Sequence, residues 1–419
     1  MSFGGIISMM GAAGAAGGAT VAQGNVMDTI LGGDRTNNWG KSVAVSEDGT
    51  YIAFGDYTAP RGYSYGRIYV YKINGDGDDY DLQQTITPFS SINARSGNSI
   101  SMDGDGSTLV IGKYYDNNNT GKVYIYTRSN TTWSNVADFV ASNAGNGDEF
   151  GSNVAINKDG NTIAVTAPNE DSNASNSGAL YVFTGSGNSW SQQSGVLKSN
   201  TPTQNDMLGG YYDEFDQQLD ISNDGNTIVV GEQNDHQGQG VGKAVIFVRS
   251  GTSWSHQATL GASDQATGTT SDRFANHVAI SGDGNTVAGG APYHNNREGA
   301  TYVFTRSGTS WSQQANIEGE NDDDYFGSAI SFNEDGNALL IGAMNYNSSR
   351  GRVYLYERSG TSWSKSWHVD GAEEIQSSDD PLFGQQVELS NNGLVAVGVA
   401  PSWDQSYAGE NRGMAKIIV

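Results

Sequence analysis

The chain has 419 residues, with 46 Asp and Glu against 22 Lys and Arg, a net charge of −24 and no cysteine. Such a charge repels phosphate backbones and argues against nucleic acid as a partner. The lack of cysteine excludes disulfides, thiolate metal sites and a cysteine nucleophile.

Residues 1–24 carry no charge and consist largely of Gly, Ala, Met and Ile. They lack the basic start and unbroken apolar run of a secretory signal, and glycines interrupt them too often for a membrane span. A small-residue segment of this kind has no order of its own, so it reads as an anchor for another subunit or protein. Val26–Leu31 then forms a short strand pattern.

From Trp39 onward one phrase recurs seven times: an alternating apolar strand, a turn ending in Gly, and a β-branched strand. The turns are Asp48-Gly49, Asp105-Gly106, Asp159-Gly160, Asp224-Gly225, Asp283-Gly284, Asp335-Gly336 and Asn392-Gly393, spaced by 57, 54, 65, 59, 52 and 57 residues. Asp-Gly between two such runs predicts a hairpin with a type I′ turn, whose two central residues both need positive φ. A third strand follows each time, as in Lys122–Tyr126, Ala179–Phe183 and Arg352–Tyr356. A near-verbatim turn, Arg-Ser-Gly-Thr-Ser-Trp at 249–254, 306–311 and 358–363, leads into a fourth strand. No helical stretch interrupts the repeats. A four-stranded sheet of this size cannot stand alone. Radial stacking buries both faces, which predicts an all-β, seven-bladed propeller of four-stranded blades over residues 25–419. The last repeat reaches Val419 with only three strands. Residues 26–31 are therefore expected to supply its fourth, closing the ring and removing its open edges.

Phe-Gly before the inner strand stands at Phe150-Gly151, Phe326-Gly327 and Phe383-Gly384, with variants Trp39-Gly40, Phe215-Asp216 and Phe274-Ala275. Gly-Ala-Pro closes a second strand at 290–292, with weaker forms at Ala167-Pro168, Gly342-Ala343-Met344 and Ala400-Pro401. With these elements the chain resembles the FG-GAP repeat propellers of integrin α-subunits and their prokaryotic and viral relatives. The resemblance implies a seven-bladed propeller used for binding. Many such blades hold calcium in the first hairpin through a ladder of acids. Here that ladder is missing, and Asp103-Gly-Asp105-Gly alone comes near it. The turns also echo the sialidase propeller box, but Asp and Gly are adjacent and its Trp is absent.

Two families of connections should lie on opposite faces. The Asp-Gly and Ser-Gly-Thr-Ser turns are short and uniform. The second-to-third and fourth-to-first loops are long and diverse, and diverse loops on a rigid scaffold are where binding concentrates. The second-to-third loops offer Tyr57, Arg61, Tyr63, Tyr65, Tyr114, Tyr115, His236, Tyr293, His294, Arg297, Tyr346, Arg350, Trp403 and Tyr407, and the loop before blade 4 adds Tyr211 and Tyr212. Flat aromatic faces with amides and guanidinium groups suit a glycan or protein contact. Trp133, Trp190, Trp254, Trp311 and Trp363 keep a fixed place after a turn and are expected to pack blade on blade.

No cofactor is expected. Calcium is the one ion with candidate ligands, the acids Asp76, Asp78, Asp79 and Asp81. The five histidines form no metal-spaced pair, and no catalytic constellation stands out. The expectation is a non-enzymatic structural or adhesive protein. Its most concrete form is a virion component, a tail or capsid appendage, attached through residues 1–24 and presenting the propeller to a cell-surface glycan or protein receptor. Its setting would be the virion or the extracellular space, and self-association through the anchor would make it a homo-oligomer. The alternatives are a secreted bacterial adhesin or glycan-binding propeller, and a carbohydrate-active enzyme.

Overall fold

A computed structural model describes residues 23–32, 39–56, 66–87, 96–210, 217–232, 241–264, 272–371, 381–401 and 413–419. They form seven antiparallel four-stranded sheets, six of them with their strands in sequential order from the inner edge outward. The first strands, innermost in each blade, are Trp39–Val45, Ile100–Met102, Val154–Ile156, Leu219–Ile221, Val278–Ile280, Phe326–Phe332 and Gln386–Leu389. Blade 7 takes Val26–Leu31 as its outer strand, with Leu31 opposite Met414 and Ile30 opposite Ala415. Asn25 and Val419 exchange backbone hydrogen bonds of 3.1 and 2.9 Å, so the ring closes as the repeat arithmetic requires. The core consists of apolar layers between adjacent blades. The layer between blades 7 and 1, for example, joins Trp39, Phe54 and Tyr69 to Val397, Val399 and Ile417.

The Phe-Gly motif is a clasp between blades. At the blade 6–7 boundary Phe383 is fully buried and bridges, in parallel, to Gly351 at the start of the preceding blade's third strand. A side-chain carbon on Gly351 would sit 1.9 Å from the Phe383 carbonyl, and one on Gly342 would sit 1.9 Å from the Gly384 carbonyl. Only a hydrogen fits either gap. The same bridge joins Phe150 to Gly121 and Phe326 to Gly299. In blade 4 the clasp is Leu208-Gly209, with Leu208 buried and bridged to Gly178. This corrects the expectation of Phe215-Asp216, which lies outside the described residues, and it places part of the long 65-residue spacing between clasp and inner strand.

The turn face is uniform, as expected, but the hairpins are not type I′. Of Asp48 and Gly49 only the glycine has positive φ, at 73°, and the other six hairpins likewise have their left-handed residue at the glycine alone. Gly49 N–H bonds to Ser46 O at 2.9 Å and Ser46 N–H to Tyr51 O at 2.9 Å, giving a four-residue loop, 47–50, built on a turn that ends in a left-handed glycine. Asp48 stays right-handed because its carboxylate accepts from the Ser46 hydroxyl at 2.9 Å and the Thr50 N–H at 2.8 Å.

The repeated tryptophans pack between blades. Trp133 and Trp254 are buried in the boundary layers, and Trp190, Trp311 and Trp363 lie against theirs. Trp311 Nε1 donates to Gln257 of the preceding blade at 2.9 Å, and Trp363 Nε1 to Gln314 at 3.1 Å.

Each inner strand has one edge without a neighbouring strand. Side chains of the preceding blade satisfy its N–H groups: Ser101 Oγ accepts from Ile156, Asp220 Oδ2 from Ile280 and Ser331 Oγ from Leu389, at 3.1, 2.8 and 3.1 Å. The central cavity is only about 100 Å³. At the turn face Lys158 of blade 3 spans it, with its ammonium 2.6 Å from Glu47 of blade 1 and 3.2 Å from Glu334 of blade 6. Burial pushes the Asp220 carboxyl up to about 7, and it raises Glu388, with the Asp220 charge as a smaller contribution.

Candidate ligand-binding cleft between blades 5 and 6

The second-to-third loops of blades 2, 5 and 6 share a left-handed turn. Asn295, Asn296 and Arg297 have φ of 48°, 60° and 65°, and Asn347, Ser348 and Ser349 have 52°, 60° and 68°. Asn tolerates this region better than most residues, because its short amide bonds locally. Each turn closes on the glycine that begins the third strand, through Gly299 N–H to His294 O and Gly351 N–H to Tyr346 O, both 3.0 Å. The turn thereby holds its side chains outward on the loop face.

Between these two turns runs the blade 5–6 connection, residues 321–325. Backbone bonds stitch the three segments together: Tyr325 N–H to Arg297 O at 2.8 Å, Asp323 N–H to Asn296 O at 3.3 Å and Asn345 N–H to Asp324 O at 3.2 Å. They enclose a cleft of about 740 Å³. Its walls carry Arg297, Asp323, Tyr325, Asn345 and Tyr346. Arg297 pairs with Asp323 at 2.6 Å and its guanidinium lies 5.8 Å from the Tyr325 ring centre. Tyr325 packs edge-on against Tyr293 with centroids 5.2 Å apart. Arg352 lies 3.7 Å over the Tyr346 ring and so covers one of its faces. Burial raises the Asp324 carboxyl pKa, while the Asn321 amide, bonded at 3.0 Å, opposes that rise. The cleft thus offers aromatic edges, a guanidinium, amides and carboxylates, the groups that recognise a polar, hydroxyl-rich ligand.

The structure brings together Tyr293, Arg297 and Tyr346 from the sequence candidates. Arg350 begins the return of the same blade 6 loop. Tyr114 and Tyr115 pack edge-to-face with centroids 4.6 Å apart on blade 2, three blades away, and Tyr114 is buried and packs locally. Beside the cleft, His294 Nδ1 is 3.1 Å from Asp272 Oδ2. Tyr57, Arg61, Tyr63, Tyr65, Tyr211, Tyr212, His236, Trp403 and Tyr407 lie outside the described residues.

The acids Asp76, Asp78, Asp79 and Asp81 stand on blade 1 and do not gather around a common point. Asp78 accepts from Asn74 at 2.9 Å, and Asp79 accepts from its neighbour Tyr80 N–H at 2.8 Å. Burial pushes the Asp28 carboxyl up to about 6, and its hydrogen bond to Asp79 adds to the rise.

Sequence reasoning missed Tyr325, and it read Asp323 only as one of the acids of the 322–324 cluster. The residue before the clasp is left-handed in Glu149, Met207, Arg273, Tyr325 and Leu382, with φ between 49° and 60°. A recurring position just ahead of Phe-Gly was the signal available.

Residues 90–126, 133–183 and 254–304 match the FG-GAP repeat family. No curated protein matches the chain in sequence. Among solved structures, a Bacteroides uniformis protein described as a 6-phosphogluconolactonase is similar over 79% of this chain and 85% of its own, with a TM-score of 0.52 and 11% identity. At that identity the likeness concerns the fold alone. The chain is a seven-bladed β-propeller, and three of its segments are similar to the FG-GAP repeat.

Proposed function

We propose that the protein is a non-enzymatic adhesive component of a virion, attached through its N-terminal segment, and that the blade 5–6 cleft recognises a glycan on a cell surface. The observation that carries the recognition step is the cleft itself: two rigid blades hold Arg297, Asp323, Tyr325 and Asn345 around one polar space. Hydroxyl-rich ligands need directional donors and acceptors beside aromatic surface, and a scaffold-fixed cleft supplies both without reordering. The virion setting rests on the uncharged residues 1–24, which suit insertion into an assembly.

Glycan-array binding by the full chain tests recognition. Arg297→Ala and Tyr325→Ala should each weaken binding at least about tenfold, and Tyr115→Ala, on blade 2, should leave it unchanged. Retention of binding by both cleft variants would refute the site. Turnover of a bound glycan would instead favour a carbohydrate-active enzyme. Fixed copy number in purified particles supports the virion setting. Release as a free protein would move the same cleft to a secreted adhesin.

A further inference from the structure

Three blades carry the same pocket beside the buried tyrosine of their third strand, and the pocket differs in how its charge is balanced. In blade 3, Lys198 fills it. Its ammonium contacts Glu170 and the Gly178 carbonyl, the latter at 2.8 Å, while Tyr181 donates to Asn143 at 2.8 Å. In blade 6, Arg352 fills it, pairing with Asp370 and, at 3.4 Å, with Glu320, while Tyr354 donates to Glu320 at 3.2 Å.

Strand register fixes the correspondence in blade 5. Thr301 opposite Ile317 matches Leu180 opposite Leu197, so Glu318 stands where blade 3 has Lys198. Ala300, opposite Glu318, stands where blade 6 has Arg352, opposite Asp370. Blade 5 has therefore replaced both internal cations. His294 takes the place of Glu170, and Asp264 is the acid beside the Tyr302 hydroxyl.

The ligand atoms of Asp264, His294 and Glu318 all lie within 4.8 Å of one another. Asn316 Nδ2 bridges the two carboxylates at 3.2 and 3.3 Å, a neutral contact that leaves their charge in place. Among the described residues no Lys or Arg is ion-paired with Asp264 or Glu318, and residues 265–271, which follow Asp264, contain neither. Asp272 holds the imidazole at 3.1 Å, in the manner of an outer carboxylate orienting a ligating histidine.

We infer that blade 5 binds a divalent transition-metal ion of the zinc class through Asp264, His294 and Glu318, in the place that lysine and arginine occupy in blades 3 and 6. One imidazole and two carboxylates suit zinc or manganese. Calcium, which takes six to eight oxygens, is poorly served.

Titration of the chelator-treated full chain with zinc chloride, followed by calorimetry, tests this. One zinc per chain is expected. His294→Ala and Glu318→Gln should each weaken binding at least about tenfold, and His256→Ala, at a half-buried histidine on blade 4, should not. Calcium should bind at least tenfold more weakly than zinc. Circular dichroism establishes that each variant is folded, and Glu318 is exposed, so its substitution leaves the blade intact. No saturable zinc binding, zinc binding unchanged by both substitutions, or calcium binding as tightly as zinc would each overturn the assignment.

Discussion

Replacing Gly342 by alanine isolates what the clasp requires. Gly342 does not have positive φ, so alanine suits its backbone and the entire cost is steric. The new carbon would meet the Gly384 carbonyl at 1.9 Å, where contacts under 3.0 Å essentially do not occur. The blade 6 and blade 7 backbones must then part by about an ångström, which strains the adjacent Phe383–Gly351 bridge. Overpacking of a rigid core costs about 1–3 kcal/mol; with backbone on both sides, the upper end, about 3 kcal/mol, is expected. Gly360 is the matched control. It has φ of 64° with nothing within 4 Å, so Gly360→Ala costs only the left-handed conformation, about 1 kcal/mol. Urea unfolding followed by tryptophan fluorescence gives both values. If Gly342→Ala costs no more than Gly360→Ala, close backbone approach is not why the repeats keep this glycine.

Other expectations concern the ring and its charges. Lys158→Met removes the tie to Glu47 and Glu334 and should lower stability by about 1 kcal/mol, the range of partly exposed ion pairs; high salt should narrow the difference. Asp28 and Asp220 have folded pKa values of about 6 and about 7, above the usual carboxylate value near 4. The folded state therefore binds more protons. Their contribution is fully present near pH 4 and is lost as pH rises towards 7, so the melting temperature should fall across that window, and Asp28→Asn should flatten the fall. The held-down carboxylates Glu170, Asp224, Asp283 and Glu320 act the other way, below about pH 4. A chain beginning at Asn25 should melt like the full chain. One beginning at Gly33 loses the outer strand of blade 7 and should aggregate in light scattering.

The repeats made the architecture legible. Seven hairpins at near-equal spacing and an unpaired strand pattern at residues 26–31 left one economical arrangement, and the chain adopts it. Details that depend on backbone handedness did not show. Asp-Gly suggested two left-handed residues, yet local bonds to the Asp48 carboxylate keep that residue right-handed. The blade 4 clasp hid because Leu208 fills the pocket as well as a phenylalanine does, and hydrophobic volume leaves no motif. Arg297 and Tyr346 were visible as polar and aromatic residues on long loops. Tyr325 was not, because a left-handed backbone at that position turns it into the cleft wall. The Asp264, His294 and Glu318 group was invisible for a simpler reason. Its members come from a blade connection, a loop and an outer strand, and blade packing alone brings them together.

The blades are pinned at two heights. The clasp of Phe326 to Gly299 joins blades 5 and 6 near the loop face, and the bond from Trp363 Nε1 to Gln314 joins them towards the turn face. A sheet held at one point along its edge can rock about that point; held at two, it cannot. The spacing between blades 5 and 6 is then a fixed dimension of the molecule, like the jaw of a gauge. For the recognition proposed above, a ligand of the right width would enter without reshaping the protein, so association would be a single step with a rate proportional to ligand concentration. A ligand slightly too wide would meet the stiffness of the ring, so the proposed site would select by size as well as by chemistry.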